Sequence, residues 1–175
     1  MKKYVYIIIV ICLLLLMLSC GCSKSADVLY NNGKTLILNK ETFTDGLKTL
    51  RQFEDKFPQD KRTPEVVLAL AMALQGDKQY DEAVKTYERL IEKYPASPEA
   101  YKGMFMLGYM YYDEIKDNEK TLTVLKEFIT TYPDSELTLS AEVLIKNIGL
   151  PVEEWSVVKE IGLLPQSSDS SDTDR

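Results

Sequence analysis

The sequence predicts an all-α fold, an array of about three helix-turn-helix units with a further helix covering the C-terminal end. Two observations predict it. The first is a segment that recurs three times without gaps: Phe43 to Pro58, Tyr80 to Pro95 and Asn118 to Pro133, with the closing prolines 37 and 38 residues apart. Each copy has a small residue at its fourth position and bulky apolar residues at its fifth, eighth, eleventh and fifteenth. Steps of three and four put these on one helix face. The second is an apolar-periodic stretch ahead of every copy, so helices come in pairs. Neither helix of such a pair can bury its apolar face alone, and stacking about three pairs makes a continuous core.

Ala26 to Leu38 is the first helix, and Phe43 to Phe57 is its partner, stopped by Pro58 because proline lacks the N–H that a helix interior needs. Pro64 to Gln75 opens the second unit, with proline at a helix start, and Gly76-Asp77 marks the turn into Tyr80 to Tyr94. Pro98 to Ile115 opens the third unit, and Lys116-Asp117-Asn118 turns the chain into the helix ending at Tyr132-Pro133. A helix over Ser135 to Ile148 covers the open end, and a short, Trp155-bearing segment to Leu164 packs on it. The unit boundaries are roughly 26–60, 61–97 and 98–134, with the cap at 135–164. Residues 165–175 carry no large apolar residue beyond Pro165 and read as a disordered acidic tail.

This pattern resembles the tetratricopeptide repeat over roughly Ala26 to Ile148. Leu107-Gly108 with Tyr111 matches its Leu-Gly-x-x-Tyr element, and Ala83, Tyr87 and Pro95 match its later small, aromatic and proline positions. Gly46 and Thr121 stand where that repeat has alanine, and Ala71 stands where it has glycine. In such arrays the small residue lets two helices approach closely, and the first helix of each pair lines a concave groove.

The N-terminus adds a location. Met1-Lys2-Lys3 precedes an apolar run from Val5 to Leu18, then Ser19-Cys20-Gly21-Cys22-Ser23. A basic start, a short apolar core and small residues at a cleavage point are the parts of a secretory signal peptide over 1–19. The run is shorter than the roughly 20 residues that span a bilayer. Ser19-Cys20 resembles a bacterial lipobox, which implies lipidation of Cys20; Cys22 is the alternative, and Cys20 is preferred because the apolar run ends just before it. More than one acyl chain on that cysteine gives a stable anchor where a single chain would not. Residues 20–25 then tether the lipid to the domain. No aspartate directly succeeds Cys20, which by analogy with lipoprotein sorting points to the outer membrane, facing the periplasm.

Lipobox, acidic body and repeats ending in Phe-Pro or Tyr-Pro together resemble the tetratricopeptide lipoproteins of bacterial outer-membrane assembly, the BamD type. The repeats are also similar to the YbgF type associated with Tol-Pal. Tyr94-Pro95-Ala96-Ser97 and Tyr132-Pro133-Asp134-Ser135 carry this narrower resemblance. Fewer repeats are present than that type usually has.

Composition excludes much else. The chain carries 27 acidic against 21 basic residues, and losing Lys2 and Lys3 with the signal makes the balance more negative still. Nucleic acid requires clustered Lys and Arg, and anionic lipid a polybasic patch, so neither is an expected partner. Cys12 leaves with the signal and no cysteine comes after Cys22, so no disulfide staples the body. There is no histidine, which removes Ser-His-Asp and Cys-His systems and His-ligated metals. No phosphate-cradling glycine loop or nucleophile elbow is present, no catalytic residue or metal site is expected, and no cofactor beyond the covalent lipid.

A binding surface is the remaining candidate. On the helix from Pro98, Met104, Leu107, Gly108 and Tyr111 fall at core positions, while Lys102, Phe105, Tyr109 and Tyr112 form another stripe. Leu68 and Met72 hold the matching places one repeat earlier. In an array this stripe would face the groove and bind an extended or helical peptide, since aromatics and Met offer large contact area. Burial of the same rings under the covering helix is the competing reading. Asp113, Glu114, Asp117 and Glu119 crowd one helix end and read as a solvated run, without the spacing of a calcium loop. The function expected is a membrane-anchored scaffold that recruits another envelope protein, in outer-membrane protein assembly or envelope integrity. The alternatives are a pilotin-like lipoprotein for a secretion or pilus subunit, and, in another class, a cell-wall enzyme or its regulatory subunit.

Overall fold

The computed structural model describes residues 25–150. The signal segment, Cys20, Cys22, Trp155 and the tail lie outside the described residues. Every regular element among the described residues is helical. Helix α1 covers 25–36, α2 Phe43–Lys56, α3 Thr63–Gly76, α4 Tyr80–Lys93, α5 Pro98–Met110, α6 Asn118–Thr131 and α7 Thr138–Asn147. A π-helical turn over Tyr111–Ile115 continues α5. The chain forms two compact units that divide within α5, after Gly103.

In the first unit α3 packs on α2 and on α4. Leu50 and Phe53 of α2, Val66, Val67, Leu70, Ala71 and Leu74 of α3, and Tyr87 and Leu90 of α4 are wholly buried. Tyr87 keeps its polar end satisfied by donating to Gln75 Oε1 at 2.8 Å, and burial pushes its hydroxyl well above the ordinary tyrosine range. In the second unit α6 packs on α7 and on the π-turn. Met110, Leu125, Phe128 and Ala141 are its innermost residues. A Cβ on Gly108 would stand 2.5 Å from Leu125 Cδ2, so α5 and α6 meet where a side chain is missing.

The recurrent segment behaves alike in each copy. Its fourth, eighth and eleventh residues are buried: Gly46, Leu50 and Phe53; Ala83, Tyr87 and Leu90; Thr121, Leu125 and Phe128. The fifteenth, Phe57, Tyr94 or Tyr132, is half-buried instead, as are Val84 and Leu122 at the fifth. That aromatic residue ends every helix with one backbone shape, φ/ψ of −129°/50°, −129°/46° and −128°/58°. Its N–H donates to the carbonyl four residues back (Phe53, Leu90 or Phe128), and its own carbonyl accepts from the residue three ahead, Asp60, Ser97 or Ser135. The proline between has no N–H to offer, so the chain must leave the helix there.

Three predicted boundaries shift. Helix α1 ends at 36 rather than Leu38, because Thr42 Oγ1 donates to the Leu36 carbonyl at 2.8 Å and closes the turn early; Leu38 is then 84 % exposed. Helix α7 starts at Thr138 rather than Ser135, since the Ser135 N–H and Thr138 Oγ1 both go to the Tyr132 carbonyl. The single helix expected over Pro98 to Ile115 changes to π-geometry at Tyr111. Helix α7 also stands after Tyr132-Pro133 as α3 stands after Phe57-Pro58 and α5 after Tyr94-Pro95.

Candidate functional site

The predicted stripe divides between the two units. In the first, Leu68 is half-buried on α3 and Met72, one turn on, is 48 % exposed. Helix α3 is apolar around much of its circumference (TPEVVLALAMALQG), so these two are what is left over once Val66, Val67, Leu70, Ala71 and Leu74 have filled the core. Lys102 is exposed on the first turns of α5 and lies over the Tyr101 ring, 5.7 Å from its centroid.

In the second unit Phe105 is half-buried and meets Phe128 of α6 edge-on, with centroids 5.9 Å apart and planes at 61°. Phe105 therefore contributes to packing between helices. Tyr109 is 37 % exposed and Tyr112 half-buried, and their rings lie 6.4 Å apart at 51°. Tyr109 and Tyr112 are thus brought together, while Phe105 is engaged with α6. Partial burial is the main reason the Tyr109 hydroxyl is pushed up from its ordinary range, helped by the Asp113 carboxylate within hydrogen-bonding reach and by the charge of Glu114.

Two acids of the run beside this pair, Asp113 and Asp117, have local partners. Asp117 caps α6 by accepting from the Lys120 N–H at 3.0 Å, which satisfies a donor the helix start leaves open. Lys120 Nζ lies 3.8 Å from Asp117, and Lys116 Nζ 3.3 Å from Asp113. No group of three or more potential metal ligands gathers among the described residues.

Two polar features of the first unit were not singled out in the sequence. Arg62 lies over the rings of both Tyr30 and Phe53, 5.0 and 5.5 Å from their centroids, and its guanidinium pairs with Asp60 and Asp27. That guanidinium holds Asp60 at about 2, well below the usual carboxylate range. Close by, Glu65 accepts from Tyr30 and Lys34, which lowers its pKa, with the lysine the larger cause. The second feature is a polar cleft of about 410 Å³ lined by Glu54, Asp55, Pro58, Gln59, Lys93 and Tyr94. Glu54 is nearly buried there and is held by Arg89 through two bonds of 2.8 and 3.1 Å. Pairs of opposite charge about one repeat apart, Asp27 with Arg62 and Glu54 with Arg89, were the available signal.

Comparison with known proteins gives two findings. The model of the YfiO family, described as outer membrane lipoprotein, matches residues 23–150. The outer membrane protein assembly factor BamD of Caulobacter vibrioides is 23 % identical over 129 residues, covering 70 % of this chain. The chain spans 42 % of that relative's length.

Proposed function

This chain belongs to the YfiO family of outer membrane lipoproteins, and on that premise we propose that it is a non-enzymatic scaffold, held to the outer membrane by lipid on Cys20, that recruits another protein of the envelope during outer-membrane protein assembly. The observation that carries the reading is the family match itself, which takes in every described helix. Its similarity to an assembly factor supports the process. Partly exposed Tyr109, Tyr112 and Met72 offer contact surface on helices fixed by buried neighbours, so binding would cost little ordering of the backbone. Binding needs no cofactor.

The test is crosslinking in cells from a photoreactive residue at position 109 and, separately, at position 72. Recovery of a component of outer-membrane protein assembly is expected, and its loss from the position-109 probe when Tyr112 is changed to alanine, with an unchanged melting temperature, would place contact at the pair. Phe105 is left intact so that packing against Phe128 is not disturbed. Absence of any envelope partner from both positions, with the protein in the outer membrane, would overturn the reading.

A further inference from the structure

The third helix pair is joined by a turn that the second pair does without. In the second pair α3 runs to Gly76, and two residues later Lys78 takes a left-handed conformation, φ 62°. In the third, the helix widens into a π-turn over Tyr111–Ile115, and Lys116 takes the same conformation, φ 63°. The Tyr111 carbonyl accepts from both the Lys116 and the Asp117 N–H, which fixes the wide turn. Such turns recur at functional sites because they re-aim side chains from a helix end. The residues three and four before the left-handed lysine differ in kind. They are Gln75 and Leu74 in the second pair, one bonded to Tyr87 and the other buried. In the third they are Asp113 and Tyr112, both at the surface in part.

The arrangement that results has the chemistry of a cation receptor. Two tyrosine rings stand 6.4 Å apart at 51°, and the Asp113 carboxylate acts on the Tyr109 hydroxyl by charge and hydrogen bonding, with Glu114 adding charge. Ring faces attract ammonium and guanidinium groups, and a carboxylate beside them adds charge and hydrogen bonding. A cation is already seated there. Lys116 Nζ lies 3.3 Å from Asp113 Oδ1 and 5.9 Å from the Tyr112 centroid. It is held lightly, since its side chain is 70 % exposed and that of Asp113 46 %, and exposed pairs of this kind exchange readily with solvent. Lys120 of α6 is directed elsewhere, to Asp117 and the Tyr111 ring.

We propose that Tyr109, Tyr112 and Asp113 receive an arginine or lysine side chain of a partner polypeptide, and that Lys116 is the internal occupant it displaces. This rests on the scaffold reading and gives the partner's chemistry at one point of contact. Charge complementarity selects the occupant: the chain is acidic overall at −6, and Asp113 already holds a lysine ammonium beside the Tyr112 ring.

The test measures binding of fluorescent twelve-residue peptides to the full chain in detergent, one containing arginines and its counterpart with citrulline at those places. The arginine peptide should bind about three- to thirtyfold more tightly. Asp113→Asn should erase that preference. Lys116→Gln should tighten binding severalfold, because the competitor is gone. Glu92→Gln, an exposed acid on α4 with the same change in net charge, should leave it alone. Equal binding of both peptides would overturn the proposal, as would weaker binding by Lys116→Gln, or equal effects of Asp113→Asn and Glu92→Gln. Binding of phosphatidylcholine vesicles without an arginine preference would assign the rings to a lipid headgroup instead and overturn it too. An envelope partner crosslinked equally well by wild type and Asp113→Asn would sink this site while leaving the scaffold reading in place.

Discussion

At Gly46 a Cβ would stand 2.6 Å from the Ile37 nitrogen and 2.8 Å from the Leu36 carbonyl carbon. Both are backbone atoms, which cannot turn aside as the Leu125 side chain opposite Gly108 can. The repeat resemblance expected alanine here, and the equivalent positions do carry Ala83 and Thr121. The difference lies in the α1–α2 turn, whose backbone is drawn in against α2. Gly46→Ala is expected to destabilise by about 1–3 kcal/mol, as overpacking does. Gly76, at the end of α3, has open space where a Cβ would go and no positive φ. Gly76→Ala is expected to stabilise by roughly 0.5–1 kcal/mol, by restricting the unfolded chain. Urea midpoints of the two variants should move in opposite directions; movement in the same direction would show that the tight approach is not limiting. Sequence alone read Gly46 as the small residue of the repeat and Gly76 as a turn marker, and neither reading tells how much room a methyl group has, because that is set by what another segment places against the glycine.

At the scale of the element, the aromatic-proline ending is the feature the sequence announces and the structure repeats. The loops beyond the three prolines are less uniform. Thr63 Oγ1 reaches back to the Phe57 carbonyl at 2.6 Å and Thr138 Oγ1 to the Tyr132 carbonyl at 3.0 Å, so a threonine six residues on closes two of the three loops. The third has Ala100 at that place, and there Ser97 Oγ accepts from the Ala100 N–H. Thr63 is fully buried and Thr138 half-buried. Thr63→Val keeps the shape and removes the donor, and is expected to cost about 0.5–1.5 kcal/mol, since the Phe57 carbonyl retains its bond from Asp60. Thr138→Val should cost less. Chemical denaturation of both variants checks this, and a neutral Thr63→Val would remove the threonine bond as the cause of loop closure. The π-turn was invisible in the same way: Tyr111–Ile115 continues the apolar period of α5, and its widening depends on how the Tyr111 carbonyl is shared.

For the molecule as a whole, family membership puts the chain among outer membrane lipoproteins, and every regular element among the described residues is helical. If lipid on Cys20 is the anchor, Cys20→Ala should move the protein from the membrane pellet to the soluble fraction, and Cys22→Ala should leave it in the pellet. The reverse pattern would transfer the anchor to Cys22, and retention of both variants would remove lipid as the cause. The candidate stripe was legible as a set of residue types and only partly as a surface. Helical spacing put Phe105, Tyr109 and Tyr112 on one side of α5, but spacing says nothing of what packs there. Phe105 lies against Phe128, while Tyr109 and Tyr112 pair beside Asp113.

The sequence by itself determined that the chain is helical, paired and periodic, because those properties reside in local spacing: apolar steps of three and four, a small residue at a fixed place, and an aromatic residue before proline. The expectation of an export signal comes from the same source, since such a signal is read as a linear string. Only the tertiary structure decided which apolar residues are core and which are surface, that Gly46 leaves no room for a methyl group, that Glu54 meets Arg89, and that Lys116 folds back over Tyr112. Each of these depends on atoms brought close by packing from distant parts of the chain or by a turn of unusual pitch, and no periodicity records either.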